Sequence, residues 1–226
     1  MNAPENREPL AVDVISDVVC PWCFLGKKRL EKAIAMADRP VTTHWRPFQL
    51  DSTIPAEGMD RQVYMERKFG KGDRIKKAHE HLTELGAAEG VPFALEKIKI
   101  SPNTLDAHRL IRWAAEPETQ ERIVEALFRA YFIDGRNIGD RAVLADIATA
   151  AGLDGPSIAE RLATDEDTAE VQADIRSAQR IGVTGVPTFI VANRYGLVGA
   201  QPAEELARAF EQVTAEESGE SVAAAG

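Results

Sequence analysis

Two cysteines, the only two in the chain, stand three apart in Cys20-Pro21-Trp22-Cys23, at the seam between an apolar run and an amphipathic stretch. Leu10-Ala11-Val12-Asp13-Val14-Ile15 reads as a largely buried strand with one polar interruption. Ser16 and Asp17 break it. Pro21 falls where a first-turn proline is tolerated, since its missing N–H had no partner to lose. Beyond it Cys23, Leu30 and Ala37 recur at seven-residue spacing, with Gly26, Ala33 and Ile34 in the same stripe. The spacing predicts Cys20 at an exposed helix tip and Cys23 on the face that packs inward. Unpaired backbone N–H groups and a partial positive charge at a helix start favour a thiolate. A thiol one turn further on can attack the mixed disulfide that the first forms. The expected division of labour is that Cys20 attacks and Cys23 resolves. Gly26, on the packed face, lets helix and sheet approach closely.

After this helix Val41-Thr42-Thr43-His44-Trp45-Arg46 alternates and is β-branched, a second strand that Pro47 ends. Strand, helix, strand implies parallel pairing through a right-handed crossover. Residues 52–58 form a turn-rich connection. From about Asp60 to about Arg180 the pattern is almost entirely helical. Asp73 is placed to cap a helix running through Ile75, Leu82 and Leu85 toward Gly90. Residues 91–100 read as extended and loop-like. Ser101-Pro102-Asn103-Thr104 opens a helix with Ala107, Leu110, Ile111 and Ala114 on one face, ended by Glu116-Pro117. Ile123, Leu127 and Tyr131 form the next stripe, with Val124 and Phe128 beside them. Asp140 and Pro156 start two more helices, and residues 165–180 complete the set. Strand character returns in Thr188-Phe189-Ile190-Val191-Ala192. A turn at residues 193–196 and a strand at 197–200 make a hairpin. A helix over 202–213 follows, and a polar tail from Ala215 has the composition of a disordered segment. The expected architecture is α/β: a discontinuous domain of residues 1–58 and 181–226, split by a helical insertion over 59–180.

The 226 residues carry a net charge of −9, which argues against a general binder of nucleic acid or anionic membrane. Residues 1–9 are polar, and no apolar run suited to a signal peptide or membrane span follows them. The cytoplasm is therefore the expected location. A catalytic disulfide is ordinary there and a structural one is not.

The order of elements and five short stretches resemble the DsbA-like thioredoxin family, and more closely its FrnE-like branch. Ser16-Asp17 leading into the cysteine motif, with Gly26-Lys27 after it, is similar to that branch's redox motif. Arg46-Pro47-Phe48-Gln49-Leu50 resembles its second-strand exit. Asn103-Thr104 with Ala107-His108-Arg109-Leu110 is similar to its insertion helix, and residues 135–140 to a later loop. Gly182-Val183-Thr184-Gly185-Val186-Pro187-Thr188-Phe189 resembles the segment bearing the family's cis-proline. The resemblance implies a thioredoxin-like fold with a large all-helical insertion and thiol–disulfide oxidoreductase activity. Its implied catalytic residues are Cys20, Cys23 and Pro187. Pro21, Trp22, Val186, Phe48 and Asn103 are the substrate-side candidates: Trp22 because residues between the cysteines stay partly exposed, and Phe48 reading equally as core or as groove lining. Substrates would be protein or small-molecule thiols and disulfides. No tightly bound cofactor is expected, and glutathione is a candidate co-substrate. Monomer and homodimer both stay open. A proline opening a strand also leaves Val186 free to offer its backbone groups to a substrate chain.

Other readings compete. A lone Cys-x-x-Cys is half a zinc site, but zinc wants four ligands, and His44, His79, His81 and His108 do not stand at ligand spacing to the cysteines. Asp17 reads equally as a tuner of the cysteine pair or a helix-entry acid. His108 reads as a hydrogen-bonded helix histidine, and Lys27, Lys28 and Arg29 as a solvated face. A glutathione-linked isomerase or transferase acting on an aromatic small molecule is the alternative enzyme. That cousin family uses serine where this chain has Cys20, and the second cysteine points away from it. A redox-silent binding module is a third class.

Strongly oxidising DsbA proteins carry histidine between their cysteines, where this chain has Trp22, which cannot be charged. We therefore predict a reduction potential above thioredoxin's roughly −270 mV and below DsbA's roughly −120 mV. Equilibration with glutathione buffers measures it. Trp22→His should raise it; an unchanged value would show that charge between the cysteines does not set the potential.

Overall fold

A computed structural model describes residues 8–70 and 73–219. Strands β1 (Leu10–Ser16), β2 (Val41–Pro47), β5 (Thr188–Val191) and β6 (Tyr195–Val198) form one sheet in the order β2-β1-β5-β6. β1 and β2 are parallel, joined through helix α1 (Pro21–Met36), and Val14 lies opposite Trp45. β1 and β5 are antiparallel, Val14 opposite Phe189, and β6 returns antiparallel to β5. Central β1 buries Val12, Val14 and Ile15, which is why its sequence is nearly continuously apolar.

Between β2 and β5 the chain is mostly helical. A short ribbon pairs β3 (Met59–Asp60) with β4 (Ile100–Ser101) and encloses α2 (Arg61–Phe69) and α3 (Asp73–Ala88). Then come α4 (Leu105–Trp113), α5 (Pro117–Phe132), α6 (Arg141–Ala150), α7 (Gly155–Leu162) and α8 (Thr168–Arg180); α9 (Ala203–Glu217) follows the sheet. Asp60, Asp140 and Asp154 cap α2, α6 and α7 through backbone N–H groups of Val63, Ala142 and Ser157. The capping role expected of Asp73 concerns a side chain outside the described residues. Pro117 opens α5 at its first position instead of ending α4, because the orphan N–H sites of a helix start suit proline. The hairpin is tighter than expected. Ala192 and Asn193 take positive φ and Tyr195 already pairs with Val191, so β6 begins two residues before Leu197. The last helix runs past Ala215 to Glu217; the remainder of the expected tail, 220–226, lies outside the described residues.

Helix α1 is fixed from three sides. Phe24 stacks on Phe128 of α5 with centroids 5.0 Å apart and meets Phe93 edge-on at 6.0 Å. Lys27, expected in a solvated face, is instead 2 % exposed. Its ammonium meets Glu121 at 2.5 Å and Glu125 at 3.0 Å, both on α5, and also Glu31. Burial alone would pull that ammonium down, but Glu121 and Glu125 outweigh it and hold its pKa well above the ordinary value. Lys28 joins the cluster at 3.0 Å from Glu125, and Arg29 pairs with Glu89 at 2.7 Å. The third contact is at Gly26, where a Cβ would come within 2.8 Å of Pro187 Cγ and 3.1 Å of Phe189 Cζ.

Two predictions follow from this clamping. Gly26→Ala should cost about 1–3 kcal/mol by overpacking and slow thiol–disulfide exchange, since the methyl pushes α1 away from Pro187. Denaturant melts and a turnover assay check it, and an unchanged midpoint with full turnover would contradict the close approach. Lys27→Met should cost roughly 1–2 kcal/mol at pH 7, the full cost of a broken buried pair being reduced because the glutamates keep some solvent. Burial raises the Glu125 carboxyl, but Lys27 and Lys28 override it and leave its pKa below 4.5. A carboxyl depressed on folding stabilises above its unfolded value and loses that contribution as pH falls through its folded value. The cost of Lys27→Met should therefore shrink as the pH falls below the ordinary glutamate range; equal cost at neutral pH and in strong acid in urea titrations would refute the pairing.

Candidate active site

The motif turns on the exit of β1. The Cys20 N–H donates to the Asp17 carbonyl at 2.9 Å, and the Cys20 carbonyl accepts from Cys23 at 3.0 Å, so Cys20 is the N-cap of α1 and Pro21 its first residue. Both cysteines are free thiols. Cys20 is only 4 % exposed, not the open tip that helix phasing suggests. The chain at Val186 approaches it, and Gly185, Leu50 and Ile54 line the same cavity. The Cys20 Sγ–H donates to the Val186 carbonyl at 3.6 Å. Cys20 nonetheless lines a cavity of about 440 Å³, together with Pro21, Trp22 and Val186. Trp22 is the exposed member, at 39 %.

Cys23 is 1 % exposed and does not line that cavity. Burial first, then the hydrogen bond and charge of neighbouring Cys20, push its pKa well above the ordinary thiol value; the Ser16 hydroxyl and a backbone contact at Asp17 oppose this only in part. Cys23 is thus held as a neutral thiol while its partner remains reduced.

Pro187 follows Val186 through a cis peptide bond and packs its ring on Gly26. Phe48 and Asn103 do not line the cavity. Phe48 is buried with Ile15, Ala178 and Val183, and its carbonyl accepts from His108 Nε2 at 2.8 Å. Asn103 Nδ2 donates to the Ile54 carbonyl at 2.7 Å, and its Oδ1 accepts from Leu105 N and Gln49 Nε2. These two residues brace the loop that carries Leu50 and Ile54, which do line the cavity. A polar residue just before a helix signals a turn or cap as readily as a ligand contact, so the sequence could not separate bracing from binding.

Beneath the motif, buried Asp17 accepts from the Leu50 N–H at 2.8 Å through Oδ2 and faces His108 Nε2 at 3.4 Å through Oδ1. Both side chains are almost wholly buried, so Asp17 is a loop anchor and His108 a hydrogen-bonded helix histidine. Arg109 spends its donors on Asp106 and on the carbonyls of Arg161, Thr164 and Glu166, tying α4 to the turn between α7 and α8. Among the described residues no group of three or more His, Cys, Asp or Glu side chains is placed to hold a metal ion.

Sequence reasoning missed the far wall of the cavity, which includes Arg61, Tyr64, Lys68, Phe69 and Tyr131. Burial pushes the Tyr131 hydroxyl up to about 12, so it stays protonated at neutral pH. These residues come from α2 and α5, and only the folding of the helical segment over the motif brings them to Cys20. No local pattern encodes that approach.

Residues 11–211 match the family of DSBA-like thioredoxin domains. YwbO of Bacillus subtilis (strain 168), an uncharacterized protein, is 30 % identical over 183 residues, which is 80 % of this chain and 86 % of YwbO. The crystal structure of SCO1869 from Streptomyces coelicolor, a probable DsbA oxidoreductase, is similar with a TM-score of 0.84 and 33 % identity, covering 96 % of this chain and 94 % of that one. The cytosolic disulfide reductase DsbM from Pseudomonas aeruginosa, solved with glutathione, shares the fold at a TM-score of 0.61 and 22 % identity over 91 % of this chain and all of its own. With its paired cysteines at the start of a helix that packs on Pro187 through Gly26, and a family match across nearly its whole length, the chain belongs to the DsbA-like thioredoxin domains, an enzyme of the thiol–disulfide oxidoreductase class.

Proposed function

We propose that the protein reduces or isomerises disulfides through Cys20 and Cys23, as a member of the FrnE-like branch. Support comes above all from the unequal placement of the two sulfurs: Cys20 lines the cavity, and Cys23 lies behind it with a suppressed acidity. A substrate disulfide approaches from the cavity side. The Cys20 thiolate bonds to one substrate sulfur, and the other substrate sulfur leaves as a thiolate. Cys23 then loses its proton, bonds to the Cys20 sulfur and releases the remaining substrate thiolate. Two electrons pass from the cysteine pair to the substrate, and two protons end on the product thiols.

Before attack, the Val186 carbonyl takes the Cys20 S–H bond. During attack the same backbone edge is available to a substrate chain lying across the motif. In a reducing cytoplasm a pair of intermediate potential is kept reduced, which favours reductase or isomerase work over net oxidation. Glutathione suits the role of the thiol that restores the pair. Among the described residues no helix is long and apolar enough to cross a membrane. We assign the redox chemistry to a domain of residues 1–58 and 181–226 and the cavity's far wall to the helical segment 59–180.

The cavity beside Cys20 has the size of a small-molecule site, which also suits the isomerase or transferase reading. That chemistry needs one nucleophile, so Cys23→Ser should spare it, whereas disulfide reduction should stop after a single exchange. Iodoacetamide labelling of the reduced protein is a further test. Cys20 should label at neutral pH through the cavity, and Cys23 should stay unlabelled under the same conditions, its acidity being suppressed by burial. Preferential labelling of Cys23 would reverse the assigned roles.

A further inference from the structure

The cavity beside Cys20 has an electrostatic character that disulfide exchange alone does not require. The chain has 36 Asp and Glu residues, yet none lines this cavity among the described residues, while Arg61 and Lys68 do. The rest of its wall is mainly apolar, with Trp22, Leu50, Ile54, Tyr64 and Phe69 among its members. Acidic residues of the region, such as Glu80, Glu84 and Glu96, line instead an adjoining cleft that shares Arg61, Met65 and His79 with this cavity.

Arg61 itself is poorly paired. It is the first residue of α2, and its backbone N–H is used by the Lys99 carbonyl at 2.8 Å. Among the described residues, its guanidinium makes only two long hydrogen bonds: 3.3 Å to Ser101 Oγ and 3.4 Å to the Tyr131 hydroxyl. Both acceptors are neutral, no carboxylate among the described residues pairs with it, and a guanidinium has five N–H donors to place. The nearby ammonium of Lys68 is already hydrogen-bonded to Tyr64 at 2.7 Å. His79 shares the cavity wall, and burial, then the charge of Arg61, hold its pKa below the ordinary value, so it adds no charge at neutral pH. A half-buried, under-paired guanidinium facing an apolar chamber is suited to a planar anion, which it can bind with two parallel hydrogen bonds.

We propose that this cavity takes a small apolar acid, an aromatic or branched aliphatic carboxylate bearing a disulfide, with Arg61 holding the carboxylate and the sulfur presented to Cys20. This rests on Cys20 being the attacking sulfur. A chamber of about 440 Å³ lies in the range of small-molecule sites and encloses a one- or two-ring acid. For a disulfide R–S–S–R′ in which R carries the carboxylate, Cys20 bonds to the R sulfur and R′ leaves as a thiolate. Cys23 then loses its proton to solvent and bonds to Cys20, and R leaves as the second thiolate. Two electrons move from the cysteine pair to the substrate. Ser101 and Tyr131 are positioning residues that orient the guanidinium.

The test separates anion recognition from redox chemistry by using probes that do not react. Calorimetry on the reduced full chain compares 2-naphthoate with 2-naphthamide, which share shape but not charge. We expect the carboxylate to bind about tenfold more tightly, the size of one charge-assisted contact. Arg61→Gln should abolish the preference and Arg61→Lys should keep part of it, with thermal melts confirming that both variants are folded. Equal affinity for the two probes in the wild-type chain, no binding of either, or a preference that survives in Arg61→Gln would overturn the proposal. Failure of the redox reading would show elsewhere: with glutathione as reductant, the wild-type chain would then speed reduction of a disulfide substrate no more than a Cys20→Ser, Cys23→Ser variant does, whatever the naphthoate result.

Discussion

The close approach of α1 to Pro187 is the constraint on which the rest of the site depends. It is possible only because residue 26 has no side chain, since a Cβ there would meet the proline ring at 2.8 Å. The contact seats the start of α1 beside the segment 185–187 and leaves Cys20 Sγ 3.6 Å from the Val186 carbonyl. Phe24 and Lys27, on either side of Gly26, anchor the same turn of helix to α5 by stacking and by buried ion pairs. One turn of helix thus carries both the catalytic geometry and the joint between the sheet and the helical segment. A change to that packing therefore reaches the cysteines directly.

The two sulfurs differ because of where that turn is packed. Residues at a helix start project toward whatever lies beyond the helix, and for Cys20 this is the cavity. One turn later Cys23 lies against the sheet. Burial holds its pKa well above the ordinary thiol value, which suits the resolving role we propose for it. In the mechanism we propose, a mixed disulfide at Cys20 removes the hydrogen bond and charge that Cys20 sets against Cys23, so the packing favours attack by Cys20 first.

Much of this was legible in the sequence. The strand–motif–helix seam, the parallel β2 and the inward Cys23 all follow from local periodicity, which is set by the two or three turns around each residue. The β-hairpin was legible too, although its exact turn was not, because Ala192 adopting positive φ runs against its intrinsic preference. What was not legible is tertiary. Cys20 is covered by a segment more than 160 residues later in the chain. Lys27 reads as a surface residue until α5 supplies Glu121 and Glu125. Phe48 and Asn103 stand in stretches that resemble functional ones, yet their contacts lie at the loop beside the cavity and they do not line its wall. Arg61 follows a capping aspartate and gives no local sign of facing a cavity. In each case a distant element decides the role, and periodicity carries no information about which distant element that is.

The central claim is that Cys20 takes the substrate sulfur and Cys23 releases it. The most direct measurement is mass spectrometry of the adducts formed when reduced Cys23→Ser and Cys20→Ser variants meet glutathione disulfide at neutral pH. The account predicts a stable mixed disulfide on Cys20 in the Cys23→Ser protein and almost none in the Cys20→Ser protein. An adduct that forms as readily on Cys23 when Cys20 is absent would contradict it, because the buried sulfur would then be neither suppressed nor shielded.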